Sequence, residues 1–542
     1  MHRLPDSPAH RLTGLPTHRP AGLPAYRRLD WLSGLLIGAV IVWGPWSFGC
    51  TTPWAIYVQN VLGYALGGLL LLKLAIRSWR PAAWRERSLR RTGWDTALVW
   101  VSALLLLYML VSAWNARVVI DPATWQLAYR ECFYWLPHSL DQESSWRAFA
   151  LYLGLAGFFW AVRDWILHPA PHSLGSGCPP GQVRGTRETP PASSRHDVGA
   201  QGVTAQAAAD YPRLPRRIRI LLWILSVNAA LVAIQGIAQR VGGSHELLWL
   251  LEPRINKDPS TFFGPYAYRA NAAQYFNLVW PVALGLWWTY RQAGRSRSAQ
   301  SPRREHSHLL LSCVLLIAIC PLVSTSRGGA IVMGGLVILA LAVLGSASWR
   351  GALSVKLALL GLLAGSVGLG VLLGWEELGP RMELLEQGYE QRETMFDTGR
   401  RMAADAPFFG TGPGSFRNLF PFYLRAPDEY WPAQMHNDWL ETRITFGSVG
   451  LGLLLLALGL AAGRWLGTGG LPAGRQFVWL TWCALGGCLV HARFDFPFQI
   501  ASIVAVFLLL CAVLSCLARP RGDAVTRRRG DAEERQPLCP AR

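Results

Sequence analysis

Charge is scarce in this chain of 542 residues: only 16% are charged, while 51% are hydrophobic. That balance argues against a soluble domain with an ordinary solvated surface and points to an integral membrane protein. Acidic residues are the scarcer sign, 33 Asp+Glu against 52 Lys+Arg. A basic excess of this size arises from the positive-inside rule or from nucleic-acid binding, and the distribution of the charges decides between them. No internal repeat is visible. No small-residue cleavage site comes after the first apolar run, so that run reads as a retained helix and not as a removed signal. The ten cysteines lack the spacing of a metal site. Cys313, Cys320, Cys483, Cys488, Cys511 and Cys516 sit inside apolar runs and read as small buried residues. Cys50 and Cys132 fall near or in segments on one side of the membrane, where a disulfide between them is an option.

What is present is a series of apolar runs. A helical crossing needs about 20 apolar residues, and lipid-exposed backbone must be helical to satisfy its own hydrogen bonds. Twelve runs qualify, near 31–49, 54–76, 96–114, 146–165, 219–239, 271–290, 308–325, 329–346, 353–374, 447–463, 476–491 and 498–517. The expected fold is therefore an all-α polytopic membrane protein of about twelve transmembrane helices, with a large extracytoplasmic loop between helices nine and ten. In order, the chain divides into a basic tail (1–30), helices one to four (31–165) and a Pro-, Gly-, Ser- and Arg-rich loop (166–217). Helices five to nine (218–374), the large loop (375–446), helices ten to twelve (447–517) and a second tail (518–542) complete it. The 166–217 loop and the second tail lack apolar periodicity and read as disordered.

Orientation is set by the arginines. With the N-terminus inside, the clusters Arg77 to Arg91 (six arginines), Arg291 to Arg304 (five) and Arg527-Arg528-Arg529 all lie in the cytoplasm. The basic excess thus records topology, and nucleic acid is not an expected partner. Both termini are expected in the cytoplasm, and segments 115–145, 240–270, 375–446 and 492–497 outside. Within 375–446, Arg381 to Ala406 has the composition of one or two helices lying over the membrane, with Met395, Phe396, Met402 and Ala403 at helical spacing. Asp405-Ala-Pro407 ends that stretch, because the residue before proline avoids the helical region.

Four places on the outer side could carry chemistry. Ser326-Arg327-Gly328-Gly329 lies at a tight turn between helices seven and eight. Arg327 there is either an arginine snorkelling to headgroups or an anion clamp, supported by glycine backbone and the positive end of helix eight. Thr261 to Asn271 enters helix six. Arg269 and its tyrosines (Tyr266, Tyr268, Tyr275) form either an interfacial anchor or a second phosphate ligand, since arginine's planar fork matches phosphate oxygens in pairs. Gly410-Thr-Gly412-Pro-Gly414 lacks the strand-and-helix frame of a nucleotide loop and reads as a bend that positions the residues after it. Finally, His436-Asn437-Asp438 precedes helix ten, with Glu441 three residues on. A histidine accepts a proton near neutral pH, and a carboxylate can hold its ring; Asp438 and Glu441 are the candidates nearest in sequence. A zinc site is disfavoured, because no second His or Cys lies at ligand spacing in this loop. His491, with Asp495 four residues on, sits at the outer end of helix eleven and could approach His436.

Taken in order, Ser326-Arg327-Gly328, then Asp405 to Phe416 (DAPFFGTGPGSF), His436-Asn437-Asp438-Trp439-Leu440, Phe446 to Leu451 (FGSVGL) and His491 to Pro497 (HARFDFP) resemble the O-antigen ligase and polymerase family of bacterial envelope glycosyltransferases. The resemblance covers about residues 260 to 510, and its strength lies in the order and spacing of motifs that are each weak alone. It implies a bacterial inner-membrane enzyme that moves a glycan from a polyprenyl-pyrophosphate donor to an acceptor hydroxyl, without nucleotide sugar, cofactor or required metal. It further implies that Arg327 and Arg269 bind the pyrophosphate and that His436 activates the acceptor. Asp438, Glu441, Gly412, Gly414, His491 and Asp495 would support them, with Arg392, Arg400 and Arg401 facing acidic lipid or glycan. The helix-six entry departs from the family's plainer Asn-Pro-Asn pattern, which weakens the match at Arg269. The acceptor would be lipid A core, a growing glycan or a protein hydroxyl. A lipid-linked glycan transporter is the competing class. It would be expected to carry mid-membrane charges and broken helices in paired halves, of which the sequence shows few and none evident.

Overall fold

A computed structural model describes residues 23–79, 93–121, 123–124, 126–168, 214–253, 257–294, 303–347, 353–383, 385–425, 432–466 and 474–517. Most of the 166–217 loop and both tails, which the sequence reads as basic or disordered, lie outside the described residues.

Each of the twelve apolar runs is a helix. They are α1 (Leu23–Trp46), α2 (Pro53–Ser78), α3 (Gly93–Trp114), α4 (Gln142–Leu167), α5 (Arg216–Val241), α6 (Arg269–Gly294), α7 (Arg303–Val323), α8 (Arg327–Ala347) and α9 (Leu353–Glu383), followed after an intervening segment by α12 (Asp438–Leu466), α13 (Arg475–His491) and α14 (Ala501–Leu517). Between α9 and α12 lie α10 (Leu385–Asp405) and the single turn α11 (Phe416–Leu419). Among the described residues, seven helices (α1 to α5, α8 and α12) are long and apolar enough to cross a membrane, and α7 and α14 contain shorter apolar helices. The chain is a multi-pass membrane protein.

The bundle is organised around α6. Most of its side chains from Ala272 to Trp288 are buried, as expected of a helix that is apolar all round and surrounded by others. It packs against α7, α8 and α13, while its first turns carry buried Asn271, Gln274 and Asn277 toward one end of the bundle. Over that end sits a second, smaller core that includes Phe396, Met402, Phe416, Phe420, Met435 and Ile444. The predicted helix over 381–406 is present as α10, and the spaced apolar residues Phe396, Met402 and Ala403 are what it buries.

Three details add to these expectations. The fold is not purely helical: β1 (Val118–Ile120) and β2 (Leu127–Tyr129) form an antiparallel pair whose Val118 and Ile120 are buried in the smaller core. Helix occupies both ends of the 375–446 segment, because α9 continues to Glu383 and α12 begins at Asp438. The apolar run stops at Trp375, but Glu376, Glu377 and Leu378 are good helix formers, so hydrophobicity ends there and the helix does not. Cys50 and Cys132 are both free. Cys50 is buried in the turn after α1 with its Sγ 3.1 Å from Ser47 Oγ, and it faces the bundle instead of the loop that carries Cys132.

Candidate functional site

The site is built where the start of α12 meets the link between α13 and α14. Asn437 caps α12, its side-chain oxygen accepting from the Leu440 N–H at 3.2 Å. The Asp438 N–H donates to Ala492 O (2.8 Å), and its carboxylate accepts from the Phe498 N–H (2.7 Å) and the Gln499 amide (3.0 Å). Glu441 accepts from the Met435 N–H at 2.8 Å. Both carboxylates are therefore spent on fastening backbone, and neither holds the histidine ring. That task falls to Asp495, 59 residues along the chain, whose Oδ1 lies 3.1 Å from His436 Nδ1.

His436 itself has φ 54°, a left-handed conformation uncommon for a side chain of this size and one that concentrates at functional sites. Its ring stands edge-on to Phe496 (4.8 Å between centroids) and Tyr268 (5.8 Å), which stack on each other at 9°. The Tyr268 hydroxyl donates to Asp495 Oδ2 at 3.3 Å. With Nδ1–H given to Asp495, the second ring nitrogen, Nε2, is left as the acceptor, the tautomer a general base requires. Burial pushes the Asp495 carboxyl up, but the His436 hydrogen bond and the charges of His436, His491 and Arg392 outweigh it and hold the group below the usual carboxylate range. Tyr268 is pushed well above the usual phenol range by burial and by the Asp495 charge.

Beside this dyad opens a cleft of about 1230 Å³. Arg269, Arg327 and Arg392 line its polar part, together with Tyr268 and Asp495. From there it continues as an apolar furrow between α8 and α13, walled by side chains such as Leu336, Leu339 and Val343 on one side and Trp479, Trp482 and Val490 on the other. Arg327 is the first residue of α8. The turn before it is tight: Thr325 has φ 57°, and Ser326 Oγ accepts from the Gly329 N–H at 3.1 Å. Arg269 opens α6 and donates to Ser260 O at 2.9 Å. Arg392 reaches down from α10 and donates to Phe494 O at 2.8 Å. Arg400, by contrast, is turned to Glu393 and Asp397 on its own helix, and Arg401 to Thr398 Oγ1 and Tyr423 O.

Residues 312–455 match the family model of O-antigen ligase. The chain carries an O-antigen ligase domain. No curated protein matches the chain. The ligase match includes Arg327, Arg392 and His436, whereas Arg269, His491 and Asp495 lie outside its bounds. The matched stretch is a minority of the chain, and it supports a glycosyltransferase-like activity of the O-antigen ligase kind.

The glycine-rich loop of the ligase domain serves as a clamp. Helix α12 breaks at Gly447, whose φ of 60° and ψ of −164° are outside the helical region. The break frees the carbonyls of Ile444 and Thr445, and these accept from the N–H groups of Thr411 (2.8 Å) and Gly412 (3.0 Å). A side chain at Gly410 would fall within 2.5 Å of the Gly447 nitrogen, and one at Gly412 would strike Ser139. Gly414, also at positive φ, passes close to Ser144 O. The loop thus locks the first two turns of α12, and with them Asn437 and Asp438, against the segment that leads into α4. Its role as a bend agrees with the sequence reading.

His491 is brought to the start of α8 and not to His436. Its Nδ1 is bonded to Gln274 Oε1 on α6, and its Nε2 faces Gly328 on α8. Sequence reasoning gives Arg392 no place beside Arg327 and reads Tyr268 as part of an interfacial belt. The signal for Asp495 and Phe496 is present in the HARFDFP stretch, but only the folded bundle shows that its aspartate belongs to His436.

Proposed function

We propose that the protein transfers a glycan from a polyprenyl-pyrophosphate donor to an acceptor hydroxyl at the extracytoplasmic face of a bacterial inner membrane, as an O-antigen ligase does. The observation that carries this reading is the cleft: a cluster of three arginines opening into an apolar furrow between two helices, with a histidine–aspartate dyad at its edge. An amphiphile with an anionic head and a long hydrocarbon tail has that shape. The positive-inside rule supports the orientation, with both termini and the arginine clusters cytoplasmic and twelve crossings in all.

In this reading Arg327 and Arg269 hold the pyrophosphate, and Arg392 closes the mouth. The acceptor oxygen attacks the anomeric carbon as His436 Nε2 takes its proton. The bond from that carbon to the phosphate oxygen breaks, and the electron pair leaves with the polyprenyl pyrophosphate. The arginines stabilise the charge that develops on the leaving oxygen. Asp495 keeps the imidazole oriented and balances the charge it acquires. The residues supply acid–base and electrostatic catalysis, and no cofactor is assigned.

The test compares envelope glycans of cells carrying the native protein and His436→Ala, separating lipid-linked from transferred material. A general base contributes about 10²–10⁴-fold, so transfer falls to near background while the protein still inserts. Full-length polymer accumulating on the carrier identifies a ligase, and single repeat units accumulating identify a polymerase. Unchanged pools refute the assignment of His436.

A further inference from the structure

His491 is the least explained polar group near the cleft. It is 1% exposed, it ends α13, and one of its ring nitrogens has no partner. Nδ1 is hydrogen-bonded to the Gln274 side-chain oxygen, whereas buried Nε2 has none. A buried polar atom left unpaired is costly, and in folded proteins such an atom calls for a ligand, an ion or a water.

The direction in which Nε2 faces supplies the candidate. A side chain built at Gly328 would come within 3.1 Å of it, and within 4 Å would meet only this ring. Gly328 is the second residue of α8, beside Arg327, and lines the cleft. The first N–H groups of a helix lack partners within it, and its dipole favours an anion there. Ser326 Oγ satisfies the Gly329 N–H, and Gly328, the residue that His491 faces, lies in the cleft wall.

We propose that His491 is a phosphate-contacting residue, which takes up a proton as the donor binds and gives its Nε2–H to a pyrophosphate oxygen seated at the start of α8. This rests on the donor assigned under the proposed function and adds a ligand to it. The proton is needed because Nδ1–H is already given to Gln274, so the neutral ring presents only a lone pair toward the phosphate. The charged groups around the ring are Asp495, beyond the end of α13, and Arg392 on α10, with Arg327 next to Gly328 on α8. Burial opposes the protonated ring most, Asp495 favours it and Arg392 opposes it, until an anion seated against the ring offsets that cost. The position has a structural consequence too. The His491 carbonyl accepts from the N–H groups of Phe494 and Asp495, so the same residue that would touch the leaving phosphate also caps the turn presenting Asp495 to His436.

The experiment measures binding of inorganic pyrophosphate to the purified full-length protein in detergent at pH 6 and pH 8. It uses the native chain, His491→Gln, His491→Phe and Arg327→Ala, each checked for monodispersity and thermal unfolding. His491→Phe keeps the bulk of the ring without either nitrogen and asks the same question if the glutamine variant does not fold. The expected result is a loss of about tenfold in affinity at pH 6 for either His491 variant, the scale of one charge-assisted hydrogen bond. The ratio of variant to native dissociation constants then falls toward one at pH 8, and taking the ratio removes the titration of pyrophosphate itself. A ratio that is one at both pH values, or the same at both, overturns the inference, provided Arg327→Ala still weakens binding. If Arg327→Ala is also without effect, the pyrophosphate reading of the whole cleft fails, which is a separate outcome.

Discussion

The bundle holds two clusters of charge, at opposite ends, and they are built differently. At one end, Lys73 on α2 lies between Asp30 of α1 (3.1 Å) and Asp164 of α4 (2.8 Å). Arg77 is bonded to the same Asp164 and Arg217 of α5 to the same Asp30. Arg163 of α4 pairs with Asp95 of α3. The Arg217 guanidinium also lies over the Trp165 ring at 4.6 Å. At the other end, Arg269, Arg327 and Arg392 line an open cleft beside His436. The Lys73 side chain is 1% exposed and that of His436 24%. In the first cluster acids and bases pair with one another and tie five helix ends together. In the second, cations converge where a ligand can reach them. Ionisable residues in a membrane bundle are functional by default, and this pair of clusters shows what separates the exception from the rule: whether the charges are buried against acids of other helices or line a cleft.

The sharpest way to break the comparison is to remove one charge from the open cluster. Arg327→Ala should lower transfer by about 10²–10³-fold, the usual scale for losing one donor that stabilises developing charge. Thermal stability should change little, since the residue stands in the wall of a cleft. An assay with a synthetic lipid-linked donor checks this; an unchanged rate would return Arg327 to the role of an interfacial anchor.

The closed cluster should respond the opposite way. Lys73→Met leaves Asp30 and Asp164 facing each other in a buried setting, and breaking such an arrangement costs about 3–5 kcal/mol. Unfolding temperature and yield should drop, while transfer per folded molecule stays near native. If transfer stops in a variant that remains folded, the network has a working part in the cycle, and the transporter reading gains ground.

How far the sequence foretells these two ends depends on what each is made of. Apolar runs mark helices because hydrophobicity and period are local, and all twelve runs are helical. Arg327 and His436 stand out because each is polar at a helix start in an otherwise apolar setting. Partnerships are another matter. Asp438 and Glu441 are close to His436 in the chain, yet a helix beginning at Asn437 turns them to Phe498, Gln499 and Met435. Asp495 is reached only because α13 and α14 meet beneath that helix start. Of the closed cluster, Arg77 reads in the sequence only as part of an arginine run that marks topology, and the pairing among α1, α2, α4 and α5 is not visible because it depends on how the helices pack. The break at Gly447 is not legible in the sequence because a glycine in an apolar helix of a membrane protein is commonplace.

The finest distinction between the two ends is pH. The Asp495 carboxyl is held below its usual range in the folded protein, burial notwithstanding, by His436, His491 and Arg392. A group whose folded pKa is depressed adds stability above its unfolded pKa of about 3.9, and that stability is lost as pH falls through the folded value. Asp495→Asn should therefore lower the unfolding temperature by a constant amount from pH 8 to about pH 5, and the difference from native should shrink below about pH 4. Unfolding followed across that range in detergent measures it directly. A difference that holds unchanged down to about pH 3 would mean that these neighbours do not hold the Asp495 carboxyl down, and the dyad would then be a contact without electrostatic support.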